Sequence, residues 1–315
     1  DPMKNCVIIV DLPKKDGVAV PTEAELVEAL KAAVAADVKP FEDNVKKEPL
    51  ISDESVLKGS PVKKEVVNKA HGAIEWTLKN GIKVVVKQTP YEADNIALTA
   101  SSWGGLALMN DEEYYSAQMM SVVMNMSGIS KFSATDLLKQ LSGKQASSAV
   151  GVGNYLHQVA GSSSLKDVET MFQLLYLQFT APRFSEDDFT TLMNRYNSSL
   201  ANQASNPDFI FLKEVMKTIY GDSPRRQQVS VDNLAKVNFD RLDDVHSKLY
   251  ANAKDFTFYF IGNMSPEELQ PLVEKYIGSL PVEKKVTNAA TDDGVREVRG
   301  GVVNDFRQTM EQPKV

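Results

Sequence analysis

This chain is short of cysteine and histidine, and its basic residues are outnumbered by acidic ones. Among 315 residues there is one cysteine, Cys6, and there are three histidines, His71, His157 and His246. A lone thiol excludes an intrachain disulfide and a thiolate metal cluster. That is compatible with the cytosol and equally with a disulfide-free envelope protein. Lys and Arg number 35 against 42 Asp and Glu, a net charge of −7. The surface therefore lacks the basic excess that a phosphate backbone attracts, which argues against a nucleic-acid partner, and nothing draws it to anionic lipid. No apolar run reaches the roughly 18 residues of a membrane-spanning helix. The chain opens Asp1-Pro2-Met3 without a secretory leader. Because position 1 is not an initiating Met, that absence carries no information about destination. Hydrophobic and charged contents of 43% and 24% are those of a globular protein, and the length suits one large domain or two ordinary ones.

Along the chain, NCVIIVDLP reads as a short apolar strand, and PTEAELVEALKAAVAA as a helix. Thr22 and Glu25 are spaced as a capping box, with Leu26, Leu30 and Val34 on one face. Residues 39–73 are charged, Pro-containing and without sustained period, the texture of a linker. IEWTLKNGIKVVVKQTP gives two strands around Asn80-Gly81, a type I′ hairpin signal. NIALTASSW is a third strand, followed by the Gly104-Gly105 turn and the helix DEEYYSAQMMSVVMNMSG. This helix is apolar nearly all round, except for Gln118, Ser121 and Asn125. Their spacing of three and four puts them on one face. A short helix over 133–143, two small-residue strands over 145–164 and a run of helices follow. The strand FTFYFIGN and the helix SPEELQPLVEKYIGSLP close the order.

That ending echoes the beginning: apolar strand, loop, Pro, acidic helix start, Leu-spaced helix. Two such units some 250 residues apart suggest tandem copies of one domain. Residues 1–38 then close a preceding copy, 39–73 are a linker, 74–281 form one complete copy, and 282–315 are a linker and the start of a third. The expected fold class is α+β, a largely antiparallel sheet of five to six strands with helices packed on one face.

This order resembles the insulinase/pitrilysin family of zinc peptidases, which includes the mitochondrial processing peptidases. The resemblance covers the whole chain, including the PTEAELVEALK…KPFED exit from one domain and the NGIKVVVKQTP entry into the next, and is strongest to the fused multi-domain bacterial members. An active half of the family carries H-x-x-E-H on the helix after the Gly-rich turn, with two His on zinc and the Glu as general base. A further Glu ligand lies some 75 residues on. Matching Ala117-Gln118 to the family's Ala-His sets the motif on Gln118, Met119, Met120, Ser121 and Val122, which keep none of these groups. No acidic residue stands between Asp188 and Asp208. The resemblance therefore implies a non-catalytic copy, inactive alone and with no cofactor of its own; zinc belongs to a missing catalytic half. That half, in the same polypeptide or a homologous subunit, and a peptide substrate are the implied partners. Gln118, Ser121 and Asn125 become candidate chamber-lining residues. The bacterial members suggest the cell envelope or periplasm as the location. The alternative function is a structural, assembly or peptide-binding scaffold of the same fold without proteolysis.

Other features weigh less. Arg225 and Arg226 in GDSPRRQQVS could grip a peptide carboxylate or a neighbouring domain by bidentate pairing. Asp243 and His246 share a helix turn and read as a solvated face rather than a ligand pair. Gly151-Val152-Gly153 lacks the third glycine and the following helix of a nucleotide loop. Ser162-Ser163-Ser164 sits in no nucleophile elbow and reads as a turn and capping cluster.

Overall fold

The structure, a computed structural model, describes residues 5, 7–12, 17, 19–36, 48–204 and 206–307. They fall into two units, Asp1–Asn44 and Val45–Val315. In the first, helix α1 (Glu23–Ala35) starts on the capping box read from the sequence. Thr22 N–H donates to the Glu25 carboxylate at 2.7 Å, and Glu25 N–H donates to Thr22 Oγ1 at 3.4 Å. Residues 7–12 pair with no strand among the described residues, and Cys6 lies outside them.

The second unit is built on one sheet. Its strands are β1 (Val62–Asn68), β2 (Ala73–Leu78), β3 (Lys83–Gln88), β4 (Ile96–Trp103), β5 (Ala146–Val152), β6 (Leu156–Ser163) and β7 (Thr257–Gly262). In space they run β1-β2-β3-β7-β4-β6-β5, every pair antiparallel except β3–β7. The helices are α2 (Asp111–Ser127), α3 (Ala134–Gln140), α4 (Val168–Thr180), α5 (Glu186–Gln203), α6 (Pro207–Tyr220), α7 (Val231–Leu234), α8 (Leu242–Tyr250) and α9 (Pro266–Tyr276). Alternation along each strand sends one set of side chains inward: Trp76 and Leu78, Val84 and Val86, Phe258 and Phe260, Leu98 and Ala100, Val159 and Val150. Met120 and Val123 of α2, Phe172 and Phe179 of α4, Leu249 of α8 and Val273 of α9 complete that core. Phe172 stacks on Phe260 with centroids 4.9 Å apart, and Phe179 meets Phe256 edge-on at 5.0 Å. The α+β expectation with a largely antiparallel sheet holds.

The sheet has seven strands rather than five to six, because β1 forms inside the stretch read as linker. Its sequence, VKKEVVN, lacks the apolar alternation of a half-buried strand, since an edge strand is held by backbone pairing and covers little core. Glu65 anchors it by accepting the Trp76 indole N–H at 2.9 Å. Just before β1, Ser60 N–H donates to Glu274 O and Gly59 N–H to Ser279 Oγ, tying the entry to the end of α9. The tail after α9 also differs from a free linker. Residues 282–304 run without regular structure along the domain. Asn252 Nδ2 donates to Lys285 O, Thr287 N–H to Asp255 Oδ1, and Val298 N–H to Ile219 O. Composition could not reveal this, because its anchors are scattered polar contacts rather than a hydrophobic period.

His246 is a further correction. It is not on a solvated face: α8 turns it into the core, where Nε2–H donates to Gln178 O at 2.8 Å and the ring stacks on Tyr250 at 5.0 Å. His157 of β6 is buried as well. Its Nε2–H donates to Leu249 O at 2.9 Å, and its Nδ1 accepts Gly105 N–H at 3.3 Å. Burial pushes both imidazoles down, His157 to about 4.

Two outcomes follow from this packing. The folded state refuses a proton that an unfolded histidine takes up near pH 6.5. The histidine contribution is therefore complete above that pH and is lost as pH falls toward 4. Moving from about pH 7.5 to pH 5 should cost about 2 kcal/mol through His157 alone, read by urea unfolding at each pH. In His157→Gln the difference should shrink by about that amount. The second outcome concerns Gly105, with φ +54°, where an added Cβ would stand 2.3 Å from Gly153 O. Gly105→Ala should cost about 3 kcal/mol, seen as a lowered denaturation midpoint.

Candidate functional site

The Gly-Gly turn and the N-terminal half of α2 make the best-organised surface of the domain. Gly104 N–H donates to Tyr155 O at 2.8 Å, Leu106 N–H to Gly153 O at 2.9 Å and Ala107 N–H to Asn154 O at 2.9 Å, so the β5–β6 hairpin clamps the turn. Asn110 then caps α2 by accepting the N–H groups of Glu112 and Glu113, and Glu113 returns the bond to Asn110 N–H. Three acidic residues in the first turn suit the positive end of the helix dipole. With the helix start fixed, Tyr114–Ala117, Met119 and Met120 face inward, and Gln118, Ser121, Val122, Asn125 and Met126 form the outer stripe.

Each polar member of that stripe has a definite setting. Gln118 is half-buried, and its Nε2 donates to Tyr114 Oη at 3.2 Å, one helical turn back. Ser121 lies half-buried beside it. Asn125, though exposed, works against the edge strand β5: its Nδ2 donates to Val150 O at 2.9 Å, and its Oδ1 accepts Val150 N–H at 3.3 Å. A side-chain amide thus takes both hydrogen-bonding groups that an added strand would use at that residue. Gln178 of α4 takes Ser148 O in the same way at 2.9 Å. Next to the stripe, Met126 and residues of α5, among them Thr191, Asn194, Arg195 and Ser198, line an open groove of about 820 Å³.

The two arginines meet this surface from the loop after α6. Arg225 lies over the Tyr114 ring at 4.8 Å and donates to Leu106 O at 3.0 Å and Met109 O at 2.6 Å. Tyr114 Oη–H donates in turn to Arg225 O at 3.2 Å. Arg226 pairs with Asp293 at 2.7 Å, and Tyr155 hydrogen-bonds both partners. Burial works against the Arg226 charge, but the Asp293 carboxylate outweighs it and holds the guanidinium above its ordinary pKa. Both cations are thus engaged within the chain, stapling the loop and the 282–304 tail to the Gly-Gly turn. Sequence reasoning missed Tyr114, Tyr155 and Asp293 as parts of this cluster. Asp293 stood in a presumed linker, and only Asp292-Asp293-Gly294, a turn signal, marked the place.

The five positions matched to H-x-x-E-H offer an amide, two buried thioethers, a hydroxyl and an isopropyl group. They supply no imidazole or carboxylate, so this donor set does not fit the zinc that the resemblance implies for an active copy. Among the described residues no group of three His, Cys, Asp or Glu side chains could hold a metal ion. His71 sits in the exposed turn after β1, while the other two histidines are committed to backbone carbonyls.

The family model described as the peptidase M16 inactive domain matches residues 236–315. A zinc protease PQQL-like protein of Arabidopsis thaliana is 25% identical over 224 residues, covering 70% of this chain and 21% of the relative. The probable zinc protease PqqL of Escherichia coli K12 is 20% identical over 211 residues, 67% of this chain and 23% of the relative. The chain thus spans under a quarter of the length of these curated relatives. Among solved structures, the periplasmic protease PqqL from Escherichia coli superposes with a TM-score of 0.70 at 17% identity, over 88% of this chain and 30% of that one. A peptidase M16 inactive domain from Pseudomonas fluorescens superposes at 0.55 with 16% identity, over 68% and 53%. The chain is thus similar to the peptidase M16 inactive domain over residues 236–315, shares its fold with solved M16 structures, and is distantly similar to PqqL-like zinc proteases.

Proposed function

We propose that this chain is the non-catalytic wall of a zinc metalloendopeptidase, helping to enclose a peptide substrate and to support an active half. The observation that carries this reading is α2. By the resemblance it corresponds to the helix that carries the metal ligands in an active copy, and it follows a Gly-Gly turn and an N-cap. Its outer stripe nevertheless carries Gln118, Ser121 and Asn125, neutral polar groups that suit a wet chamber wall and cannot activate water. The Asn125 and Gln178 contacts with β5 fit the same role, since the strand edge that pairs with a peptide is then left to the active half. Arg225 and Arg226 serve this wall by holding the loop and tail in place. The catalytic half belongs to the same polypeptide or to a homologous subunit, and brings the zinc and the general base. The periplasmic relative supports a location in the cell envelope. Among the described residues no helix is long and apolar enough to cross a membrane.

The test is metal content and peptide cleavage, measured on this chain and on the full-length gene product. The chain after dialysis against zinc should hold essentially none and cleave no unfolded peptide, while the gene product should do both. One tightly held zinc per chain, or cleavage by the chain alone, would overturn the reading. A full-length product without H-x-x-E-H and without cleavage would favour the scaffold alternative.

A further inference from the structure

The face of the sheet turned away from the helices carries a pattern of its own. Strand register aligns its outward residues in rows that cross β1, β2, β3 and β7. Val66 stands opposite Glu75, Glu75 opposite Val85, and Val85 opposite Tyr259, forming a mostly apolar row. One neighbouring row runs Lys64, Thr77, Lys83 and Thr257. The other contains Lys87 beside Ile261. Outward residues of a strand recur about every 7 Å, so an apolar stripe lies between two rows that carry lysine. These residues line an open cleft of about 600 Å³. Val66, Tyr259 and Ile261 keep 42%, 37% and 46% of their surface exposed, so no other described part of the chain seals it.

Charge sets this cleft apart from the rest of the molecule. Three lysines and one carboxylate, Glu75, line it, whereas the whole chain carries a net charge of −7. Asn68 Nδ2 already donates to Glu75 at 2.8 Å. The ammonium groups of Lys64, Lys83 and Lys87 have no ion pair or hydrogen bond among the described residues. The far half of the same face differs: the outward residues Ala97, Thr99, Ala160 and Ser162 of β4 and β6 are small and uncharged. Unpaired cations and large apolar groups are therefore gathered on one half of the sheet, the composition of an interaction surface.

The spacing suits a chain better than a single anion. Lys64 and Lys83 are two strand spacings apart, about 10 Å, and Lys83 and Lys87 about 13 Å, with Val85 between them. An extended segment laid along β3 repeats its facing side chains at the interval of the rows. Carboxylates at its first and fifth positions then stand over Lys83 and Lys87, and an apolar side chain at its third stands over Val85 and Tyr259. We propose that this half of the sheet is the docking surface for an extended, acidic segment of a partner protein, with the pattern acidic-x-apolar-x-acidic. The apolar stripe supplies the buried area, and the lysines supply sign and register. The inference rests on strand register and unpaired charge, and holds whether or not the chain is part of a peptidase.

Fluorescence anisotropy tests it on chain 1–315, with a labelled peptide repeating Glu-Ser-Leu-Ser and a counterpart repeating Lys-Ser-Leu-Ser. The acidic peptide should bind saturably and the basic one should not. Lys83→Glu combined with Lys87→Glu should weaken the acidic peptide about tenfold at low salt. Lys213→Glu on α6 should leave its affinity unchanged. Carbodiimide coupling on the unmutated chain locates the site even where the double variant folds poorly: the peptide's Glu residues should join Lys64, Lys83 or Lys87. No binding, equal binding of the two peptides, unchanged affinity in the folded double variant, or coupling only to other lysines overturns the proposal. Tighter binding of an oligothymidylate than of the peptide overturns it too, and would make the cleft a nucleic-acid site. None of these outcomes depends on zinc or on cleavage, so the wall reading stands or falls separately.

Discussion

The placement of β7 in the middle of the sheet is the constraint on which the rest depends. It makes the one parallel pairing among the described strands, with β3, and joins a three-strand meander to a three-strand antiparallel group. Phe258 and Phe260 project from it into the helical layer, where Phe172, Phe179 and Tyr276 close around them. Each buried aromatic of this kind removes a large apolar area from water, so the strand and the helices α4 and α9 stabilise one another. Because β7 comes after α8 in the chain, the sheet is complete only once nearly the whole domain has been laid down.

The surface around α2 divides between an ordered helix start and an outer stripe. The glycine turn, the N-cap and the acidic first turn start the helix and seat it on the sheet. The outer stripe has no such duty, and its amides are used for local bonds to Tyr114 and Val150. The buried histidines follow the same logic. His157 and His246 each satisfy a backbone carbonyl in an aromatic cluster, and a neutral imidazole there is worth more as a packed donor than as a base.

Much of this was legible before the structure. The hairpin at Asn80-Gly81, though not of type I′ because Asn80 keeps a negative φ, and the Thr22–Glu25 capping box are local signals, because turns and helix starts are decided by a few neighbouring side chains. The emptiness of the H-x-x-E-H positions is likewise a matter of residue type, and needs no coordinates. The misses share a different cause. β1 was hidden because an edge strand needs only a partner's backbone. The 282–304 strap was hidden because its anchors are single polar residues, Thr287, Asn288 and Asp293, whose partners are distant in sequence. His246 was misread because Asp243 and Asp244 made its turn of α8 seem wet, while the ring itself points at Tyr250.

By itself the sequence determined the class of fold and the order of most of its elements, since periodicity and caps are written in residue identity. Only the tertiary structure decided which strands are neighbours, that Arg225 and Arg226 are consumed inside the domain, and that Asn125 closes the β5 edge. These depend on pairings between residues tens to hundreds of positions apart, where many partners are chemically equivalent and only the packed core selects among them.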